Sequence, residues 1–438
     1  MLRIITQEAE AQTELRRISD RTHGGETLHK EATVREIIQT VQRQGDKALL
    51  DYTAEFDGQS LTREQLRVSG SELDAAYQQV SKELLDAIAL AREQIEAFHR
   101  LRVPKSWVHF VEDDVVLGKR YTPVQRAGLY VPGGRAAYPS TVLMNAVPAK
   151  VAKVPRIVMV TPPGEGGKIT PAVLVAAQEA GVTEIYRVGG AQAIAALAYG
   201  TETVPAVDII TGPGNIYVTL AKNLVYGKVG IDSLAGPSEV LIIADRGANP
   251  VHVAADLLAQ AEHDPMAAAI LLSTDSDLAD KVQHEVQRQL LNHPRKLLTE
   301  KAIAHYGLIV VVDSLNAAVR LSNQFAPEHL ELEIADPWAI LEQIQHAGAI
   351  FLGNSTPEAV GDYLAGPNHT LPTSGAARYS SALGVETFLK HSSLVQYSPA
   401  ALNKMSSAIQ TLARAEGLHS HGESVRLRAP ESGREEEE

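Results

Sequence analysis

Arg126-Ala-Gly-Leu-Tyr-Val-Pro-Gly-Gly-Arg135 reads as a short apolar strand running into a tight glycine-rich turn, and Tyr138 to Val151 after it can wind a helix despite Pro148. The same unit recurs downstream. Arg156 to Val160 ends in Thr161-Pro-Pro-Gly164, Glu184 to Val188 in Gly189-Gly-Ala-Gln192, and Val207 to Ile210 in Thr211-Gly-Pro-Gly-Asn215. Helical stretches such as Thr170 to Ala180 and Ala193 to Tyr199 alternate with these strands. That alternation is the pattern of a βαβ sheet with right-handed crossovers. Glycines at the ends of parallel strands let backbone approach a ligand, which makes the four turns a candidate nucleotide cleft. None carries GxGxxG, and glycine also ends strands that bind nothing.

Upstream, Ala32 to Phe56 and Ser71 to His99 read as helices; in the second, Leu73, Ala76, Val80, Leu84, Ile88 and Ile95 recur at three- and four-residue spacing. Before them lies a polar arm. Trp107 to Thr122 alternates like a hairpin, and the domain boundary falls close to Gly128. Downstream, Val240 to Ala244, a helix from Pro250 to His263, Ala268 to Leu272, Ser276 to Leu291, Gly307 to Val312, Leu315 to Gln324 and Ala349 to Leu352 imply a second α/β core of similar layout. Gly361 to Thr373 reads as irregular, and Ala400 to Gly417 as a helix long enough to reach another subunit.

Composition narrows the chemistry. A chain of 438 residues exceeds a single core. Its net charge of −13 argues against a general nucleic-acid or anionic-membrane surface. With no cysteine, disulfides, a thiolate nucleophile and Cys-ligated metal are excluded, so any metal must sit on nitrogen and oxygen. No apolar run has the length of a signal peptide or a membrane span, which makes cytoplasm the expected location. Arg428 to Glu438, with four consecutive Glu, reads as a solvated, disordered tail.

The stretch Phe325-Ala-Pro-Glu-His-Leu330 is where chemistry is expected. Pro327 ends the preceding helix, so Glu328 and His329 start a turn or strand at a domain rim, where both can face one cleft. His329 then suits a general base, and Glu328 a second base or acid. An isolated Glu-His pair is more often a surface Glu beside a half-buried His. Gln260 and His263, three apart on a helix, can offer donors to one ion, although glutamine is an uncommon zinc ligand. Asp362 and the histidines of Glu416-Gly-Leu-His-Ser-His421 are further candidates. His369 can equally hold its loop, and Ser238 lacks a nucleophile elbow.

Taken in order, these segments resemble the histidinol dehydrogenase family: Gly128 to Gly134, Val188 to Gln192, Gly212 to Asn215, Gly236 to Glu239, Leu258 to His263, Ala326 to Leu330, Gly361 to Tyr363, Gly366 to His369 and Glu416 to His421. The resemblance implies a zinc-containing dehydrogenase that oxidises L-histidinol to L-histidine through the aldehyde with two NAD, the last step of histidine biosynthesis. It implies Glu328 and His329 as catalytic residues, and Gln260, His263, Asp362 and His421 as zinc ligands. Tyr130, Gln192 and Asn215 match NAD contacts. Ser238, Gln260, His263, Glu328, His329, Asp362, Glu416 and His421 match substrate contacts. It further implies a homodimer in which each subunit completes the other's site.

The expected fold is α/β, with two Rossmann-like domains that lack GxGxxG. Residues 1–25 form the arm, 26–127 and 239–380 a catalytic domain, 128–238 an NAD-binding domain, 381–427 a helical segment reaching the partner, and 428–438 the tail. A paralogous zinc/NAD dehydrogenase of another small polar alcohol, a zinc hydrolase using Glu328, and a dimeric binding protein with degenerate sites are the rival readings. NAD reduction in the presence of an alcohol separates the dehydrogenases from the last two.

Overall fold

A computed structural model describes residues 2–22, 26–133 and 138–429. The end of the first glycine turn, Gly134-Arg135, and most of the acidic tail, 430–438, lie outside the described residues. The chain forms two compact units. One comprises the described residues of Met1–Arg102 and Val124–Phe388, the other those of Val103–Pro123 and Leu389–Glu438.

In chain order the strands are β1 (Arg3–Ile5), β2 (Trp107–Val111), β3 (Val115–Pro123), β4 (Arg126–Tyr130), β5 (Arg156–Thr161), β6 (Glu184–Arg187) and β7 (Ile209–Thr211). They continue as β8 (Gly230–Ile231), β9 (Glu239–Ala244), β10 (Ala268–Ser273), β11 (Gly307–Val311), β12 (His329–Glu333), β13 (Ala349–Leu352) and β14 (Leu389–Gln396). The first unit holds two parallel sheets, ordered β6-β5-β4-β7-β8 and β1-β11-β10-β9-β12-β13. Leaving β1 aside, both place their strands in the order third, second, first, fourth, fifth. The duplicated Rossmann-like layout expected from the alternation is therefore present, with a switch point between β4 and β7 in one sheet and between β9 and β12 in the other.

Aliphatic side chains fill the layers. Val158, Val160, Ile194 and Leu197 pack with Val34, Ile38 and Val41 over one face of the five-stranded sheet. Leu241, Ile243, Leu330 and Leu332 pack with Leu15, Ile18 and Phe325 on one face of the other sheet, while Val240, Ile242, Leu257 and Leu258 pack on its opposite face. The second unit is the β14-β3-β2 antiparallel sheet with helices Pro399–Ala415 and Glu416's neighbour His419–Arg426.

Six local expectations need correction. Gly361 to Tyr363, expected to be irregular, lie in helix Glu358–Tyr363, and the segment 381–427, expected to be helical, contains strand β14. The polar arm is edge strand β1 and helix Glu8–Ser19, because Ala11, Leu15 and Ile18 share a face and are buried. The helix expected over 32–56 is two, Glu26–Gln44 and Asp46–Phe56, broken at Gly45 with φ +56. Asp46 N–H there donates to Glu202 Oε2 at 2.8 Å. The helix expected over 71–99 is Gly70–Tyr77 and Lys82–Arg100, the second restarted by Ser81, whose hydroxyl accepts from Leu84 N–H. Helix Pro250–Ala261 stops before His263, which lies in the following turn.

Candidate active site

Helix Leu315–Phe325 ends on Ala326, whose φ of 56° turns the chain back, and Pro327 prevents the helix from continuing. Glu328 and His329 follow at the amino end of β12, 5% and 4% exposed, so the dipeptide is buried rather than superficial. Gly348 makes room for this return, since a Cβ there would come 2.6 Å from Glu328 O.

The backbone of one residue on the neighbouring strand orders both side chains. Glu239 N–H donates to Glu328 Oε2 at 2.9 Å, and His329 Nδ1 lies 3.0 Å from Glu239 O. A carbonyl only accepts, so Nδ1 carries the proton and Nε2 presents a lone pair. Nε2 has no partner among the described residues. Burial pushes the imidazole down to about 3, against the hydrogen bond to Glu239, so His329 is neutral at neutral pH. Burial pushes the Glu328 carboxyl well above the usual carboxylate range, and nearby Glu239 and Asp362 push the same way against the Glu239 N–H bond.

Strand alternation puts His329, Glu331 and Glu333 on the face opposite Leu330 and Leu332. Helix Glu358–Tyr363 sets Glu358 and Asp362 one turn apart, with Glu358 N–H donating to Glu331 Oε1 at 2.8 Å. His263, Glu358 and Asp362 bring donor atoms within 4.8 Å of one another. One imidazole and two carboxylates are a donor set that zinc accepts. Gln260 is fully buried beside them. Its amide is satisfied with the nitrogen 2.5 and 2.8 Å from the Glu358 oxygens and the oxygen 3.1 Å from Glu239 N. A metal would have to draw that oxygen away from the Glu239 amide. His369 Nδ1 sits 3.1 Å from Asp362 O, its imidazole pushed down to about 4 by burial.

A cleft of about 990 Å³ reaches this group; His329, Asp362 and His369 line it together with Ile209, Ile231 and Asp232 of the other sheet. At the carboxyl ends of that sheet, Tyr130 is buried with its hydroxyl accepting from Gly190 N–H at 3.1 Å. Gln192 is buried, its Oε1 without a partner among the described residues. Asn215 caps helix Ile216–Val225, its Oδ1 accepting from Tyr217 and Val218 N–H. Ser238 sits directly before β9. Glu416 and His421 are exposed residues of the second unit.

Sequence reasoning singled out Glu328, His329, Gln260, His263 and Asp362, which one end of the six-stranded sheet brings together. It missed Glu239 and Glu358. The four-residue spacing of Glu358 and Asp362, starting directly after Pro357, is the available signal for the second; the first has only its place after Gly236-Pro-Ser238.

Two Rossmann-like sheets, one ending in glycine turns and the other carrying a buried acid–imidazole pair beside a nitrogen- and oxygen-donor cluster, define an oxidoreductase of the α/β class. The chain belongs to the histidinol dehydrogenase family, matching it over residues 21–429. It is 78% identical over 428 residues to histidinol dehydrogenase 2 of Trichormus variabilis, covering 98% of this chain and 99% of that one. Identity to the histidinol dehydrogenase of a Synechococcus species is 74% over 428 residues, with the same coverage. The crystal structure of histidinol dehydrogenase from Elizabethkingia anophelis superposes with a TM-score of 0.87 at 41% identity, covering 91% of each chain.

Proposed function

We propose that this chain oxidises L-histidinol to L-histidine through the aldehyde, using two NAD in succession, as the last step of histidine biosynthesis. The observation that carries the reading is His329 itself: a buried, neutral imidazole whose Nδ1 is fixed on Glu239 O and whose Nε2 is free to take a proton. An alcohol releases hydride only as its proton is removed, and Nε2 is the atom that would accept it. Glu328, whose carboxyl is held above its ordinary range, would take a proton from the water that hydrates the aldehyde.

Gln260, His263, Asp362 and His421 of the partner subunit would hold zinc. When bound, zinc would fix the nitrogens of the substrate and so position the remote carbinol. Tyr130, Gln192 and Asn215 would contact NAD at the glycine turns, while Ser238 and Glu416 would join the ligands and the catalytic pair around the substrate. In this reading 26–127 with 239–380 is the catalytic part and 128–238 the NAD-binding part. A homodimer agrees with the exposure of Glu416 and His421, and with apolar side chains open on the second unit, where Phe110 is 74% and Val395 67% exposed. Among the described residues no helix is long and apolar enough to cross a membrane, and a biosynthetic role fits the cytoplasm.

The deciding experiment counts NADH formed per L-histidinol consumed to completion, with zinc present and NAD in excess. Two per substrate supports both oxidations at one site. One would remove the water-activating role of Glu328, and none from folded, zinc-loaded protein would favour a dehydrogenase of another alcohol. Mixing His329→Asn with His421→Asn protein tests the shared site: regained activity supports it, and continued inactivity from a demonstrated mixed dimer overturns it.

A further inference from the structure

We propose that Arg21 and Glu239 form a buried bracket that sets the orientation of Glu328 and His329, acting as positioning residues through the Glu239 backbone. The inference rests on the reading of Glu328 and His329 as the catalytic pair.

Arg21 lies in the short helical turn Asp20–Thr22, far from β9 in sequence, yet its side chain is 1% exposed and that of Glu239 is 0% exposed. Its donors reach four acceptors. Nη1 bonds Glu239 Oε1 at 2.9 Å and Ile18 O at 2.8 Å, Nη2 bonds Pro237 O at 2.9 Å, and Nε bonds Met266 O at 2.8 Å. The fork therefore ties the end of helix Glu8–Ser19 to the segments that enter β9 and β10. Pro237 and Glu239 are gripped on either side of Ser238, so Arg21 fixes this tripeptide at both ends.

The grip matters because of what the Glu239 backbone does. Its N–H holds Glu328 Oε2 and its carbonyl holds His329 Nδ1, so any rotation of that residue moves both side chains. The carbonyl also dictates the tautomer that leaves Nε2 as the base. A buried carboxylate next to Glu328 is a poor choice for stability alone, since it opposes ionisation of its neighbour. Buried ion pairs of this kind are often matched in stability by apolar side chains of similar volume. Geometry is what the pair adds: a planar guanidinium with its donors satisfied in fixed directions locates the strand entry in a way that an apolar contact does not.

The test compares Arg21→Lys and the double variant Arg21→Met with Glu239→Leu against wild type, in the full-length zinc-loaded protein. The double variant removes both charges together, so it leaves no unpaired buried carboxylate, as Arg21→Met alone would. We expect a melting temperature near wild type for Arg21→Lys and a lower but still cooperative one for the double variant, in which the Ile18, Pro237 and Met266 carbonyls lose their donor. We expect kcat for L-histidinol oxidation to fall about 10- to 100-fold, the effect of displacing a reacting group by about an ångström. KM for NAD should stay within about threefold, because the bonds of the bracket go to Ile18, Pro237, Glu239 and Met266, none of them a proposed NAD contact; KM for L-histidinol can move further through Ser238, which the bracket flanks. Glu239→Gln, which keeps an acceptor for Arg21, should retain more activity than the double variant. A double variant that melts cooperatively and turns over like wild type overturns the proposal, as does a loss confined to KM. His329→Asn is assayed alongside. If it keeps wild-type turnover, the catalytic assignment fails and the bracket with it; if it is inactive while the bracket variants are fully active, only the bracket fails.

Discussion

The two parallel sheets share one strand order but use opposite ends of their switch points. In the five-stranded sheet the glycine turns follow the carboxyl ends of β4 and β7, where open α/β sheets take small molecules. In the six-stranded sheet Glu328 and His329, the proposed catalytic pair, and Glu239 stand at the amino ends of β12 and β9. The content differs as much as the position. One end is made of space: a Cβ on Gly212 would lie 2.1 Å from Tyr130 O, and one on Gly189 2.5 Å from Pro162 Cβ. The other is made of acids, with Glu239, Glu328 and Glu358 buried there and Glu331 and Glu333 buried further along β12. Strand amino ends present N–H groups, which is what carboxylates need, and Glu239 N–H on Glu328 is an instance. In the proposed reading, a duplicated scaffold is divided into a half that would admit a ligand and a half that would move protons.

The largest effect expected from breaking this division is at the charged end. His329→Asn keeps a polar group of similar size but no base, and should lower kcat for the first oxidation by about 10²- to 10⁴-fold. Glu328→Gln should spare alcohol oxidation more than aldehyde oxidation, checked by supplying each substrate separately; equal losses would refute the split. Next comes a buried ion pair at the open end. Lys222 Nζ reaches Gly212 O at 2.9 Å and Asp232 Oδ1 at 2.5 Å, while Asp232 Oδ2 accepts from Gly212 N–H at 2.8 Å. Both backbone groups of Gly212 are therefore held by one pair. Lys222→Met leaves Asp232 buried alone and should cost about 3–5 kcal/mol in denaturant unfolding, much of it regained with Asp232→Asn in addition. A loss below about 1 kcal/mol would mean that the turn is held by its neighbours.

Most of this architecture is legible in sequence, for reasons that also mark its limits. Strand ends were readable at Thr211-Gly-Pro-Gly-Asn215 because glycine and proline are local signals. The break at Pro327 exposed Glu328 and His329 for the same reason. Gly45 was overlooked because the apolar spacing continues across it, and its cause, Glu202, is 156 residues from Asp46. Glu239 lies 89 residues before Glu328, and no local pattern links a strand's first backbone amide to a distant side chain. Glu331 and Glu333 were visible as alternation in His329-Leu-Glu-Leu-Glu333, but alternation suggests a solvated face, and this one is buried. The exposed setting of Glu416 and His421 gives little to detect: His421 stands out only as one of two histidines in a short run, and only the family resemblance marks Glu416.

Gly212→Ala attacks the open end more gently than Lys222→Met does. With φ at +112° and a backbone oxygen in the way, the variant should lose about 1–3 kcal/mol from conformation alone, and its KM for NAD should rise while kcat at saturation is largely kept. An unchanged KM would detach this turn from the nucleotide.

Glu333→Gln probes the carboxyl end of β12, the end away from Glu328 and His329, and the expected sign is a gain. Burial, with Asp256 nearby, pushes the Glu333 carboxyl up to about 8 from an ordinary value of 4.5, and neither oxygen has a hydrogen-bond partner among the described residues. Between those two pH values the folded protein keeps a proton that the unfolded chain has released. The associated stability is complete below pH 4.5 and is lost as pH rises to about 8. Glutamine imitates the protonated form at every pH. The variant should match wild type near pH 5 and exceed it by roughly 2 kcal/mol at pH 8, allowing for partial solvent screening. Unfolding curves at the two pH values decide it. Destabilisation at both would mean that the Glu333 carboxylate is balanced by a cation beside Asp256 and Glu331, and that this end of the sheet, like the other, was shaped to hold something.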